Sequence, residues 1–139
     1  MRIPAASLET IRRHAEASRP EECCGILLGE PGAEGPRVAE VVPAGNAAPD
    51  DRRARYAIEP TDLLAAAKRA RSLGLEIVGY YHSHPRGPAE PSERDGEHAW
   101  PEASYLIVGL GHCGGPRSWR LRPGTVEFEE EPLEVVGDR

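Results

Sequence analysis

Two histidines and one aspartate are the residues of this chain best suited to chemistry. Residues 82–85 are His-Ser-His-Pro, and Asp95 follows eleven residues after the second histidine. Two imidazoles and a carboxylate form a ligand set suited to Zn²⁺, and three protein ligands leave a fourth position for water. We therefore predict one catalytic zinc ion per chain, bound by His82, His84 and Asp95.

Strand geometry brings the two imidazoles together. Residues two apart in an extended chain point to the same side, so His82 and His84 converge while Ser83 faces away. Pro85 biases His84 toward extended backbone and supports this arrangement. A surface pair of this kind is commonly just solvated, so the pair alone does not establish a metal site.

Ser92 and Asp95 have two interpretations. Being three apart, they lie on one side of the first turn of a helix, where Asp95 can be a third ligand. The same spacing is typical of a capping box, in which both side chains satisfy backbone amides, and taken alone this interpretation is the better one. Seven residues separate His84 from Ser92, enough to fold the helix start over the strand end. The joint occurrence of both motifs favours the metal site.

Hydrolysis at such a metal also needs a carboxylate that is not itself a ligand. A catalytic zinc ion polarises a carbonyl and lowers the pKa of its water to about 7, but another group must carry the proton to the leaving amine. Glu22, at the rim of the first buried strand, is the best candidate, since a neighbouring strand could place it beside the metal. The alternative for Glu22 is a solvated charge at a strand edge.

The apolar pattern predicts the elements that position these residues. We expect helices from Ser7, with Ser7 as the cap, to Ser18, from Pro60 to Gly74 and from Ser92 to Trp100, and strands over residues 23–28, 38–42, 52–58, 76–82, 105–110, 118–121 and 125–128. The expected core-facing positions are Leu8, Ile11 and Ala15 in the first helix and Leu63, Ala67 and Ala70 in the second. This order predicts an α/β or α+β domain with one mixed β-sheet flanked by helices.

Length, charge and cysteine content narrow the class of protein. The 139 residues are expected to form a single domain, residues 1–139, that needs no disulfides. A net charge of −6 without a run of basic residues argues against nucleic acid. Three cysteines, two of them adjacent, favour a reducing cytoplasm. No apolar run is long enough to cross a membrane, so we expect a cytoplasmic protein that does not bind one.

Three segments together resemble the JAMM or MPN⁺ metalloproteases. Residues 20–29 are Pro-Glu-Glu-Cys-Cys-Gly-Ile-Leu-Leu-Gly, residues 82–85 are His-Ser-His-Pro, and residues 91–95 are Pro-Ser-Glu-Arg-Asp. The family signature is an upstream Glu, then His-x-His-Pro, then a Ser separated from the second His by seven residues, and then an Asp separated from that Ser by two more. No part of it is missing, and the order of elements agrees roughly from Ser7 to Phe128.

This resemblance implies a role for each motif residue. His82, His84 and Asp95 would bind zinc, Glu22 would activate the water and carry its proton, and Ser92 would stabilise the oxyanion. The family implies a cytidine-deaminase-like fold. It also implies hydrolysis of peptide or isopeptide bonds after the C-terminal Gly-Gly of ubiquitin-like proteins.

The size of the chain is similar to that of the free-standing prokaryotic members. Those members are associated with sulfur-carrier proteins, which makes a ubiquitin-like or sulfur-carrier protein ending in Gly-Gly the expected partner. We expect a monomer or a weak homodimer. The loop after Leu110 is short, so selectivity for one type of polyubiquitin chain is not expected.

The sequence is also compatible with other functions and sites. A non-catalytic, zinc-stabilised module that binds an extended tail is the main alternative. A nucleoside deaminase is disfavoured because the Pro-Cys-x-x-Cys segment is missing. His112 and Cys113 could bind a second metal, although an ordinary turn explains them better. Cys23 and Cys24 are expected to be buried strand residues. Trp100 could line the substrate groove, although core packing explains it better.

Overall fold

A mixed sheet with helices on both faces makes up the part of the chain that the computed structural model describes, residues 1–97, 99–111 and 114–137. In chain order its elements are β1 (Arg2–Pro4), α1 (Ala5–Ser18), β2 (Cys24–Glu30), β3 (Arg37–Ala44), α2 (Pro60–Leu73), β4 (Glu76–His84), α3 (Glu93–Glu97), β5 (Ser104–Gly109), β6 (Arg117–Leu121), β7 (Phe128–Glu131) and β8 (Glu134–Val136). The predicted fold class is confirmed. None of these helices is long and apolar enough to cross a bilayer.

The sheet places the histidine strand at its centre. Its order is β7-β6-β5-β4-β2-β3-β1-β8, and β4 pairs antiparallel with β2 and parallel with β5. The edge strands β7 and β8 are joined through only Pro132 and Leu133, a connection that spans at most about 10 Å. The sheet therefore curls until its opposite edges approach each other.

Alternation along β4 decides which side chains reach the site. Tyr81 packs in the buried cluster around α1, whereas Tyr80 packs against the cluster around α2. Because neighbouring side chains point to opposite faces, His82 and His84 lie on the α2 face of the sheet and Ser83 on the α1 face. Ser83 is buried there, and its Oγ accepts a 2.8 Å hydrogen bond from the backbone N–H of Cys23.

The first helix has the predicted core face but not the predicted start. It begins at Ala5 after an extended Pro4, and no side chain caps it. The prediction of Ser7 as the cap is therefore wrong, because Pro4 occupies the N-cap position three residues earlier. Its buried residues are the expected Leu8, Ile11 and Ala15.

The second helix has the predicted ends but not the predicted face. Gly74 ends it in the left-handed region with a φ of 68°, where glycine carries no steric penalty. The buried positions are Ala66 and Ala70, while Leu63 is 36% exposed. Only Ala70 of the three expected core positions faces the sheet. Two small alanines let the helix approach the sheet closely, and leucines remain outside.

Two predicted strands are wrong. Residues 52–58 form a turn followed by a single bridge between Asn46 and Ile58, because the N–H groups of Ala54 and Arg55 both donate to the carbonyl of Asp51. The strand predicted at 125–128 begins only at Phe128, since the turn lasts until then. The sequence patterns also missed β1 and β8, and α3 is five residues long rather than the nine expected.

We expect Gly25→Ala to lower the free energy of unfolding by about 1–3 kcal/mol, the usual cost of overpacking. A Cβ at Gly25 would overlap the ring of Tyr81. That ring is fully buried and its hydroxyl lies 2.7 Å from Nδ1 of His14, so it cannot easily move. Urea unfolding measures the change. Gly45→Ala is the control, because its Cβ would lie 3.6 Å from its nearest neighbour, and equal losses in both variants would contradict the explanation.

Candidate metal centre

Three atoms that could bind a metal ion meet at the end of β4. Nε2 of His82 and Nε2 of His84 are 3.1 Å apart, and each lies 3.2 Å from Oδ2 of Asp95. Ligand atoms bound to one tetrahedral zinc ion at about 2.0–2.1 Å lie about 3.3 Å from one another. This metal triangle, formed by the three atoms, therefore has nearly the size that zinc requires.

Hydrogen bonding prepares His84 for a metal. Its Nδ1 lies 2.9 Å from the backbone carbonyl of Pro88, and since a carbonyl only accepts, Nδ1 must carry the hydrogen. With Nδ1 carrying the hydrogen, the neutral form of His84 would direct the lone pair of Nε2 into the metal triangle. In the metal-free protein, burial alone would lower the pKa of His84, but hydrogen bonds with Asp95 and with the Pro88 carbonyl raise it. His82 is fully buried, and burial lowers its pKa. The donor set fits Zn²⁺.

Asp95 serves as a helix cap and meets the histidines at the same time. The backbone N–H of Ser92 donates to Oδ2 of Asp95 at 2.8 Å, and the backbone N–H of Asp95 donates to Oγ of Ser92 at 3.3 Å. This is the capping box that the sequence suggested. The two interpretations of the spacing are thus compatible, because the cap fixes the carboxylate that completes the metal triangle.

Glu22 is buried beside the metal triangle. It is 5% exposed, and its carboxylate lies within 4.8 Å of the ligand nitrogens of His82 and His84. The pairing of Cys24 with His82 explains this position, because Glu22 precedes Cys24 by two residues and shares its face. Its Oε1 has no hydrogen-bond partner among the described residues. The interpretation of Glu22 as a solvated edge charge is wrong.

The two carboxyl groups have opposite protonation behaviour. Burial alone would raise the pKa of Asp95, but hydrogen bonds with His82 and His84 hold that pKa well below its usual range. Burial raises the pKa of Glu22 to about 8. Asp95 is therefore a fixed anion, whereas Glu22 can take up and release a proton near neutral pH.

We expect the metal-free protein to lose less stability with rising pH when Glu22 is replaced by Gln. The unfolded-state pKa of a glutamate is about 4.3, and the folded-state pKa of Glu22 is about 8. Its contribution to stability is thus complete below the lower value and lost as pH rises through the higher one. Urea unfolding between about pH 5 and 9 tests this. The exposed neighbour Glu21 provides the control Glu21→Gln. Parallel curves of stability against pH for wild type and Glu22→Gln would contradict this prediction.

A loop that the sequence patterns misjudged covers the metal triangle. The ring of Tyr56 stacks on His82 with centroids 4.4 Å apart and an interplanar angle of 23°. Arg94 forms an ion pair of 3.0 Å with Asp51, which joins the loop to α3. In the sequence, the only indication of these contacts is an aromatic residue in a polar segment, and the pattern of that segment predicts a strand.

An aromatic cavity opens beside Asp95. Its volume is about 230 Å³, and its lining includes Tyr56, Tyr80, Trp100 and Tyr105. Trp100 is 65% exposed, so its expected place in the core is wrong, and it lies at the cavity wall instead. A larger cavity of about 680 Å³ lies near the start of β4, and none of the metal-site residues line it.

The two adjacent cysteines are not activated nucleophiles. Cys23 and Cys24 are buried free thiols, and burial raises their pKa values to about 11 and about 12. Both thiols stay protonated at neutral pH, as their predicted structural role requires. The second-metal hypothesis concerned His112 and Cys113, which lie outside the described residues.

Comparison with known proteins agrees with the motifs. Residues 4–122 match the family of prokaryotic homologs of the JAB domain. The chain belongs to this prokaryotic JAB family. The resemblance to JAMM and MPN proteins is thereby confirmed.

Three named proteins illustrate the relatives of this JAB chain. A probable TtuB-protein conjugate cleaving protease of Thermus thermophilus is 36% identical over 88% of the chain and 76% of the relative. A desampylase of Haloferax volcanii is 37% identical over 72% of the chain and 70% of the relative. A CysO-cysteine peptidase of Mycobacterium tuberculosis is 32% identical over 96% of the chain and 90% of the relative.

Solved structures share the JAB fold of this chain. A protein of Desulfitobacterium hafniense, whose structure was solved in solution, has a TM-score of 0.85 at 29% identity. The match covers 99% of this chain and 93% of that protein. A JAB1/MPN domain protein of Archaeoglobus fulgidus has a TM-score of 0.62 at 22% identity and covers 98% of this chain and 99% of its own. The second likeness concerns the fold alone.

Proposed function

We propose that this protein is a zinc-dependent peptidase or isopeptidase. It hydrolyses the amide bond after the C-terminal Gly-Gly of a ubiquitin-like or sulfur-carrier protein. The observation that carries the proposal is the metal triangle of 3.1–3.2 Å edges with a separate, protonatable Glu22 beside it. The names of the relatives, a conjugate cleaving protease, a desampylase and a CysO-cysteine peptidase, support the same chemistry.

Each site residue has a distinct task in this proposal. His82, His84 and Asp95 hold the zinc ion, which supplies a Lewis acid for the scissile carbonyl and makes water more acidic. Glu22 takes up the proton of the attacking water on its carboxylate and delivers it to the leaving amine. In the metal-free protein, burial raises the pKa of this carboxyl to about 8, so the site can hold Glu22 in its protonated form.

Ser92 is the proposed donor to the oxyanion. Its Oγ accepts the capping bond from the N–H of Asp95, and that bond uses the hydroxyl oxygen rather than its hydrogen. A hydroxyl hydrogen donated to developing negative charge stabilises the transition state more than the ground state. The capping box keeps this hydroxyl one helical turn from Asp95.

The shape of the site supports a glycine tail. His82 is fully buried, and the side chain of Asp95 is 7% exposed, so only a slender chain can bring its carbonyl to the metal triangle. Two glycines have no side chains to collide with the walls. The aromatic cavity beside Asp95 offers a place for an adjoining substrate residue. The amine released is a lysine side chain, a chain terminus or a free amino acid such as cysteine.

The proposal also includes the extent of the domain and the cellular compartment. The clusters around α1 and α2 share strands β2 and β4, which supports residues 1–139 as one domain. The free thiols of Cys23 and Cys24 support a reducing cytoplasm as the place of the reaction.

Fusions of the host's ubiquitin-like and sulfur-carrier proteins test the function. Each carrier is joined through its Gly-Gly to a reporter and incubated with zinc-loaded protein, beside a fusion ending in Ala-Ala. We expect cleavage of the Gly-Gly fusion only, its loss on chelation and its return with added zinc. Tight binding of every Gly-Gly fusion without cleavage would contradict the proposal and support the non-catalytic module.

A further inference from the structure

We infer that Asn46 is a positioning residue for Glu22, acting through the loop of residues 46–58, an inference that rests on the proposed function. The Asn46 amide uses its full hydrogen-bonding capacity. Its Nδ2 donates to the carbonyls of Glu22 at 3.0 Å and Arg55 at 3.1 Å. Its Oδ1 accepts from the N–H groups of Ala48 at 3.0 Å and Ala57 at 3.2 Å.

The backbone of Glu22 depends on this loop on both sides. Its carbonyl accepts from Asn46, and its N–H donates to the carbonyl of Arg52 at 2.8 Å. No hydrogen bond restrains the carboxylate at Oε1, which lacks a hydrogen-bond partner among the described residues. The position of the carboxylate therefore depends on the backbone, which the 46–58 loop holds at Glu22 and Ser83 holds at the next residue, Cys23.

The same loop reaches two other parts of the metal centre. Tyr56 lies between Arg55 and Ala57, two of the loop residues that Asn46 binds, and its ring stacks on His82. Asp51 pairs with Arg94, the residue before Asp95. Asn46 thus ties the proton carrier to the loop that rests on the metal ligands. The Asn46 amide is therefore one of the contacts that set the distance between Glu22 and the ligands.

Asparagine is the residue type that these four contacts require. Aspartate has the same shape and keeps both acceptor contacts, but it cannot donate to Glu22 or Arg55. Alanine loses all four bonds. A displacement of about 1 Å in a reacting group can cost about 100-fold in rate. We therefore expect kcat to fall by about 10- to 100-fold in Asn46→Asp and Asn46→Ala, while KM changes by less than about threefold.

Amide hydrogen exchange tests the positioning without any metal or substrate. In the metal-free protein, we expect the N–H of Glu22 to exchange at least about tenfold faster in Asn46→Asp, while amides of β2 and β4 keep their wild-type rates. Asp50→Asn is the matched control, because it removes an exposed loop ion pair with Arg55 and leaves Asn46 intact. Unchanged exchange at Glu22 would overturn the inference.

A double-mutant cycle separates positioning from a merely structural role. If Asn46 acts through the Glu22 carboxyl, Asn46→Asp lowers kcat in wild type but has little further effect in Glu22→Gln. An equal loss in both backgrounds, or a rise in KM alone, would overturn the inference. Should wild type cleave no fusion while exchange at Glu22 still depends on Asn46, the proposed function fails and the structural link stands.

Discussion

Glu22→Gln retains zinc but lowers kcat for cleavage of a Gly-Gly fusion by about 100- to 10,000-fold, the range of general acid–base catalysis. The amide has the shape of the carboxyl group but cannot accept the proton of water or return it to the amine. Glu22 lies within 4.8 Å of the histidine nitrogens, near enough to act on a substrate bound there. Steady-state kinetics and zinc content, measured on one preparation, test both halves of the expectation.

Glu21→Gln is the matched control for this experiment. Glu21 is adjacent and exposed, whereas Glu22 is buried, so the same chemical change there should leave kcat within about twofold, as expected for a surface substitution away from the site. Wild-type activity in Glu22→Gln would contradict the proposed mechanism. Loss of zinc from Glu22→Gln would instead indicate that Glu22 is a zinc ligand.

Asp95→Asn loses both zinc and cleavage. The substitution removes the anion from the metal triangle, but its amide oxygen can still accept the capping bond from the N–H of Ser92, so α3 keeps its start. Removing a partner outside the ligand set usually costs about 10- to 100-fold in metal affinity, and loss of a ligand should cost more. Zinc competition titration measures the affinity, and chelated wild type sets the activity baseline.

Glu93→Gln controls for a change of charge on the same helix. Glu93 is exposed and does not belong to the metal triangle, so zinc affinity should stay at the wild-type level. Glu22, His82 and His84 form a second, overlapping set of possible ligands, and Asp95→Asn decides between the two sets. Unchanged zinc affinity in Asp95→Asn, with loss in Glu22→Gln, would contradict the assignment of Asp95 as the ligand.

Local sequence patterns were sufficient for β4, which carries the histidines, and for α2. β4 is a buried strand whose alternation puts His82 and His84 on one face, and α2 begins and ends at Pro60 and Gly74, residue types that favour those positions. Burial of Glu22, by contrast, depends on the pairing of β2 with β4. Glu22 can be predicted as the proton carrier only from the chemical need for a base that is not a ligand.

Contacts between distant parts of the chain were beyond such patterns. β1 pairs with β8, and Arg2 lies opposite Glu134, a pairing between strands of only three residues that no local periodicity reveals. The pattern of residues 52–58 predicts a strand, but Asn46 and backbone bonds to Asp51 hold this part of the loop as a turn. Tertiary hydrogen bonds there override β propensity.

The intact mass of the carrier released from its fusion tests the central claim most directly. Cleavage is run in water enriched in oxygen-18, with and without chelator. Hydrolysis after Gly-Gly predicts a carrier that ends at the second glycine and has gained one heavy oxygen, and no such product when zinc is removed. A new end at any other position, or the same product in chelator, would contradict the assignment of a zinc-dependent Gly-Gly peptidase.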